Sequence, residues 1–181
     1  ILNGLDYDTW NPEIDRFIPA HYNVWNIENK YGNKEALRER LWLRKEYKPI
    51  VAYVGRLDAQ KGVHLIQHAM FYTLERGGQF VLLGAGGDRG INNHFWHLKH
   101  YMNENADCHM EIGFNEQLAH LIYAGADLCV VPSLFEPCGL AQMIAMRYGT
   151  VPVVRSVGGL VDTVFDRDHS EPLRIVEQCP D

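Results

Sequence analysis

Cysteine is scarce in this chain, and long apolar runs and basic blocks are missing. Its cysteines, Cys108, Cys129, Cys138 and Cys179, form no CxxC pair. A chain of 181 residues with 46% hydrophobic content has core enough to fold without disulfide staples, so a reducing compartment is expected. No stretch approaches the ~18 apolar residues that a membrane helix needs, so no membrane partner is expected. The formal net charge is −6 and no run of five Lys or Arg interrupts it, which argues against nucleic acid as a partner. Ile1-Leu2-Asn3-Gly4 shows neither an initiator Met nor a signal-peptide pattern, so the chain reads as an excised piece or a mature fragment.

A metal motif is missing too. His64 and His68 stand four apart, and His94, His97 and His100 three apart, spacings that put imidazoles on one helix face. Neither group carries the Glu of HExxH and no cysteine lies near, so packed or solvated histidines are expected and no metal site. The loop Gly84-Ala85-Gly86-Gly87-Asp88-Arg89-Gly90 misses the GxGxxG spacing and follows the second apolar run rather than the first. Turn glycines, or a close backbone approach to a sugar or phosphate, are expected there rather than a nicotinamide site.

What is present is a regular alternation. Residues 1–48 are polar and aromatic, with a charge-rich helical stretch at 34–45, and read as a lead-in segment with little strand signal. From Pro49 onward, short apolar runs at 50–54, 80–83, 110–112, 128–131 and 151–154 alternate with helical spacing at 63–74, 92–102, 116–124 and 141–148, and a further helical turn opens at Gly158-Gly159. Four- to six-residue strands alternating with helices predict parallel strands joined by crossover helices, hence a doubly wound α/β sheet over 49–181. Every strand-to-helix turn then falls on one edge of the sheet, where such folds bind ligands.

That edge collects charge. Glu136-Pro137-Cys138-Gly139-Leu140 places a carboxylate after the 128–131 run and before a helix, and Arg56 and Lys61 bracket the turn after the first strand. A planar guanidinium fork and a compact ammonium suit a diphosphate, and cations at a helix N-terminus oppose its dipole unless an anion is also there. Cys138 has a plain reading as a small buried residue at a helix start.

Several blocks in order carry a family resemblance. Arg56-Leu57-Asp58-Ala59-Gln60-Lys61-Gly62, residues 79–84, residues 120–127, Pro132-Ser133-Leu134-Phe135-Glu136-Pro137-Cys138-Gly139-Leu140, Arg147-Tyr148-Gly149 and Gly158-Gly159-Leu160-Val161-Asp162-Thr163-Val164 resemble the starch synthases and bacterial glycogen synthases. The likeness runs from Leu2-Asn3-Gly4-Leu5-Asp6 to about Asp168. The lead-in, together with residues 73–79, resembles plant and algal soluble starch synthases more than the bacterial enzymes.

The resemblance implies the C-terminal half of a two-domain GT-B glycosyltransferase. Residues 1–48 would be the interdomain linker and lead-in, and 49–181 a C-terminally truncated, Rossmann-like domain for a nucleotide sugar. It implies retaining transfer of glucose from ADP-glucose to the non-reducing end of an α-1,4-glucan, with no metal and no cofactor beyond that substrate. The N-terminal domain would be a missing partner and a plastid the location. By motif, Arg56 and Lys61 would hold the diphosphate and steady the leaving ADP. Glu136 would hold the donor glucose and offset positive charge at its anomeric carbon. The N–H groups of Cys138, Gly139 and Leu140 would orient sugar or phosphate, Phe114 would flank adenine, and Gly158 and Gly159 would allow close packing at the site. Ala141 stands where the family commonly has Thr, and Ile144 where related retaining enzymes carry a second Glu. A non-catalytic, starch-synthase-like protein that recruits glucan or partners during granule initiation ranks below the enzyme, because Arg56, Lys61 and Glu136 are all present.

Overall fold

The computed structural model describes residues 4–166 and 168. Cys179, the Leu2-Asn3 start of the resemblance and most of the expected domain beyond residue 166 lie outside the described residues. Five strands, β1 (Ile50–Val54), β2 (Gln79–Gly84), β3 (Cys108–Ile112), β4 (Leu128–Val131) and β5 (Val151–Val154), form one parallel sheet in the order β3-β2-β1-β4-β5. The helices are α1 (Lys30–Arg40), α2 (Val63–Glu75), α3 (Arg89–Met102), α4 (Glu116–Gly125), α5 (Ala141–Arg147) and α6 (Gly159–Thr163). Strand order reverses between β1 and β4, so the crevice where ligands collect in open α/β sheets lies beyond Val54 and Val131.

Side-chain alternation divides the core. Ile50, Ala52, Val81 and Leu83 join Leu37, Leu118 and Ile122 on the face covered by α1 and α4. Tyr53, Phe80 and Leu82 join Ile66, Met70 and Phe95 on the face covered by α2 and α3. Strand β2 is buried along its whole length, which is why its sequence reads as a continuous apolar run rather than an alternating one. A third cluster unites Ile18 and Tyr22 with Tyr123, Ile144, Tyr148 and Leu160.

The lead-in segment packs onto the sheet domain. Helix α1 lies on α4 so closely that a Cβ on Gly125 would stand 2.9 Å from the Asn33 carbonyl oxygen and 3.0 Å from Leu37 Cβ. The expected helix over 34–45 occupies Lys30–Arg40 instead. It ends in a Schellman motif, in which Leu43 N–H donates to Arg38 O at 2.9 Å and Trp42 N–H to Glu39 O at 3.4 Å. Trp42 occupies the left-handed position, φ 53, that glycine usually fills, so no glycine announced the stop. The charge-rich face of this helix is buried in part. Lys34 pairs with Asp127 at 2.7 Å, and Arg38 donates to Gln79 Oε1 at 2.9 Å and to Lys48 O at 2.7 Å. Lys30 Nζ caps the end of α4, donating to the carbonyls of Tyr123 and Ala124 at 3.0 and 2.9 Å.

Asp15 fastens the other end of the lead-in. Its carboxylate accepts from His120 Nδ1 at 2.7 Å, from the Tyr148 hydroxyl at 2.5 Å and from Phe17 N–H at 2.8 Å, and Trp10 stacks on the His120 ring at 4.0 Å. Burial raises the Asp15 carboxyl's pKa, but the bonds from His120, Tyr148 and Phe17 outweigh it and leave the group below the ordinary value. A depressed acid stabilises the fold above its unfolded pKa, and that contribution disappears as pH falls through the folded one. Asp15→Asn should therefore melt lower than the parent at neutral pH, by about 1–3 kcal/mol of stability, with the gap shrinking in acid below ~4. Thermal melts of both proteins from pH 7 down to pH 3 check this, and a constant gap would contradict it.

Candidate active site

The turns after β1 and β4 are built to meet. Gly62, at φ 70, lets the turn that opens α2 press on β4's exit, where a Cβ would stand 2.4 Å from the Pro132 carbonyl oxygen. Leu134 N–H donates to Gln60 O at 2.8 Å and Gln60 Nε2 to Phe135 O at 2.9 Å, so the two turns are laced together. The lacing sets the Lys61 ammonium directly on Glu136 Oε2, which also accepts from Ser133 Oγ at 2.9 Å. Glu136 is 6% exposed, and this cation and hydroxyl are the partners that meet its side chain in the interior.

Arg56 stands at the rim. Its guanidinium is 67% exposed and bonded to Asp58 Oδ2 at 2.7 Å. The buried Tyr53 hydroxyl donates to the Arg56 carbonyl at 2.5 Å and shapes the turn beneath it, and burial pushes that hydroxyl's pKa up. The two cations were expected to need an external anion. Each already has a carboxylate of this chain, Asp58 or Glu136, so the helix-dipole argument for a bound diphosphate does not stand by itself.

Two clefts share Val54, Gly55 and Arg56. One, of about 230 Å³, is walled by Lys61, Ser133, Glu136, Gly139 and Leu140 and is charged. The other, of about 260 Å³, is walled by Leu83, Gly84, Ala85, Gly113, Phe114 and Ala119 and is mainly apolar. Phe114 is 93% exposed above it, placed to stack on a planar group. A charged compartment and an apolar one joined under an arginine suit a ligand with a polar, anionic end and a flat ring at the other.

The remaining expected residues divide by role. Gly158 and Gly159 stand behind Glu136 and serve the loop's backbone. A Cβ on Gly158 (φ 50) would be 2.2 Å from Glu136 O, one on Gly159 would be 2.6 Å from Cys138 Cα, and Gly159 N–H donates to Glu136 O at 2.9 Å. Cys138 is partly buried, with its thiol 3.4 Å from the Gly139 carbonyl. Gly84 and Gly86 serve the neighbouring turn, since a Cβ on either would lie 2.2 and 2.0 Å from the carbonyl oxygens of Gly55 and Leu57. Ile144 is buried in the core, so α5 offers no second carboxylate there.

Sequence reasoning missed Ser133, Asp58 and Gln142. Gln142 is fully buried, and its Nε2 donates to the carbonyls of Cys138 and Gly139 at 3.0 and 2.9 Å and to Thr163 Oγ1 at 3.1 Å, fixing the turn that follows Glu136. Among the described residues no three His, Cys, Asp or Glu side chains converge as a metal set. His94 bonds Gln67 at 2.8 Å and His97 bonds the Asn93 carbonyl at 2.7 Å. No helix among the described residues is long and apolar enough to cross a membrane.

Comparison with known proteins bears on the family and the fold. The chain is 65% identical over 170 residues to glycogen synthase 2 of Methylococcus capsulatus, covering 94% of this chain and 35% of that protein. It is 64% identical over 173 residues to glycogen synthase 1 of Trichormus variabilis, covering 96% and 35%. The catalytic domain of starch synthase IV from Arabidopsis thaliana, bound to ADP and acarbose, superposes with a TM-score of 0.93 at 46% identity, covering 96% of this chain and 36% of that one. The chain thus spans about a third of the length of its relatives, and its fold is that of the C-terminal half of a GT-B enzyme. The two bacterial relatives are more similar to it than the plant structure is, against the expected plant or algal subclass, and the plastid location that followed from that subclass is not supported. The model of the family described as glycosyl transferases group 1 matches residues 34–170, α1 included, and the chain belongs to that family.

Proposed function

We propose that this chain is the donor-binding half of a retaining glucosyltransferase that moves glucose from ADP-glucose to the non-reducing end of an α-1,4-glucan. The observation that carries the reading is the Lys61 ammonium on the buried Glu136 carboxylate, with Arg56 on the rim of the same cleft. Support comes from the starch synthase IV catalytic domain of the same fold, which is bound to ADP and acarbose.

Chemically, breaking the bond between glucose and ADP puts negative charge on the leaving phosphate and positive charge on the anomeric carbon. An ammonium has three donors, so Lys61 can bond Glu136 and still reach a phosphate oxygen. Arg56, exposed and held only by Asp58, can turn its fork to the same diphosphate. These cations stabilise the departing ADP, while Glu136 accepts hydrogen bonds from glucose hydroxyls and offsets charge at the anomeric carbon. The N–H groups of Cys138, Gly139 and Leu140 orient the sugar or phosphate, and Phe114 stacks on the adenine. The acceptor glucan and the N–terminal domain are the partners in this scheme, so this chain by itself should bind ADP weakly and transfer little glucose.

The full-length protein incubated with ADP-glucose and maltoheptaose should elongate the chain with α-linked glucose. Arg56→Ala should lower that rate by about 10²-fold, the scale of losing one positioned charge. Elongation unaffected by Arg56→Ala, or from UDP-glucose alone, would refute the reading. Elongation lost with Arg56→Ala also separates the enzyme from a non-catalytic glucan-recruiting protein.

A further inference from the structure

The end of the sheet opposite the cleft carries aromatic surface that the proposed chemistry does not use. Tyr47 precedes β1 and Asp127 precedes β4, so both lie about five residues, or ~17 Å of strand, from the donor cleft. Tyr47 is 90% exposed and Tyr31, at the start of α1, 47% exposed. Their rings face each other at 6.4 Å with planes 29° apart, and Lys34 Nζ lies 5.9 Å from the Tyr47 ring centre. Beside Tyr31 a cleft of about 190 Å³ is lined by Glu28, Lys34 and Asp127. At the far end of α1, ~16 Å along its axis, Trp42 is 81% exposed.

Trp42 is the informative residue. It is the one non-glycine residue with positive φ among the described residues, in a left-handed position where glycine would cost nothing. A large ring held in that conformation, in water, contributes little to folding, and strained backbone of this kind points to function. The carboxylates beside Tyr31, Glu28 and Asp127, are matched by Lys30 and Lys34 in the same cleft, so the exposed aromatics sit on a patch balanced in charge, on a chain of net charge −6, and that does not suit an anionic polymer. It suits a neutral polyhydroxylated one. One face of a glucose ring is a set of C–H bonds that rests on the electron-rich face of an aromatic ring, while its hydroxyls donate to carboxylates.

We infer that Tyr31, Tyr47 and Trp42, with Glu28 and Asp127, form a second binding surface for α-glucan, remote from the donor cleft, that holds a long polymer while its end is extended elsewhere. The inference rests on the proposed function for the identity of the polymer. It predicts a difference by substrate length, because a short acceptor does not span from cleft to surface.

The test uses the full-length protein carrying Trp42→Gly, and separately Tyr31→Ala with Tyr47→Ala, against glycogen and maltotriose. Both variants should lose about tenfold in affinity for glycogen, read by retardation in glycogen-containing native gels and by KM, with kcat on maltotriose unchanged. Trp42→Gly should melt at the same or a higher temperature, which a merely structural tryptophan would not allow. Unchanged glycogen affinity in both variants overturns the inference, and so does an equal loss on maltotriose. If the parent protein transfers nothing from ADP-glucose, the proposed reaction fails while glycogen retardation still judges this surface.

Discussion

Lys61→Ala should lower transfer from ADP-glucose by about 10²- to 10³-fold in kcat, the scale of removing one fixed electrostatic group at a centre where charge develops. Two consequences follow from one contact. Lys61 bonds the 6%-exposed Glu136 carboxylate, so the substitution also leaves a buried charge with only the Ser133 hydroxyl, at a cost of about 3 kcal/mol in stability. The double variant Lys61→Met with Glu136→Gln separates them. It removes both charges, so its melting temperature should return toward the parent's while its activity stays lost. Recovery of activity together with stability would mean that the pair only holds the fold.

Gly158→Ala should be nearly as damaging without removing any charged group. At φ 50 and ψ −139 an alanine there is strained by about 1–3 kcal/mol, and its Cβ would sit 2.2 Å from the Glu136 carbonyl oxygen. The loop must retreat, and with it the carboxylate. A misplacement near 1 Å costs about 10²-fold in rate, so kcat should fall by that order and the melting temperature should drop too. Activity assays paired with melting curves check this. Gly77→Ala, also at positive φ but with nothing within 4 Å of its Cβ, is the control for backbone strain and should leave kcat unchanged. If both variants lose activity alike, the Gly158 contact does not position Glu136.

The sequence made the strands and the site's two halves legible for a local reason. Strands at 50–54, 128–131 and 151–154 are short β-branched runs bounded by turn residues, and the charged groups sit in the turns after the first two, so position along the chain already placed Arg56, Lys61 and Glu136 on one edge. What stayed hidden depends on partners remote in sequence. Lys34 and Arg38 read only as part of a charge-rich helical stretch, because Asp127 and Gln79, which pair with them, lie 93 and 41 residues away. Asp15, His120 and Tyr148 show no motif, since their meeting needs the lead-in to fold over α4 and α5. Gln142 reads as an ordinary helix polar residue until the turn after Glu136 closes over it. The glycines at 84 and 86 announced a close approach correctly, yet the approaching group is the backbone of residues 55–57.

Titration calorimetry of ADP with the full-length protein and its Lys61→Ala variant tests most directly whether the cleft between Arg56, Lys61 and Glu136 is the donor site. The account predicts measurable binding to the parent and at least a tenfold weaker Kd in the variant, about 1.4 kcal/mol. Equal binding to both, or none to the parent, would contradict it.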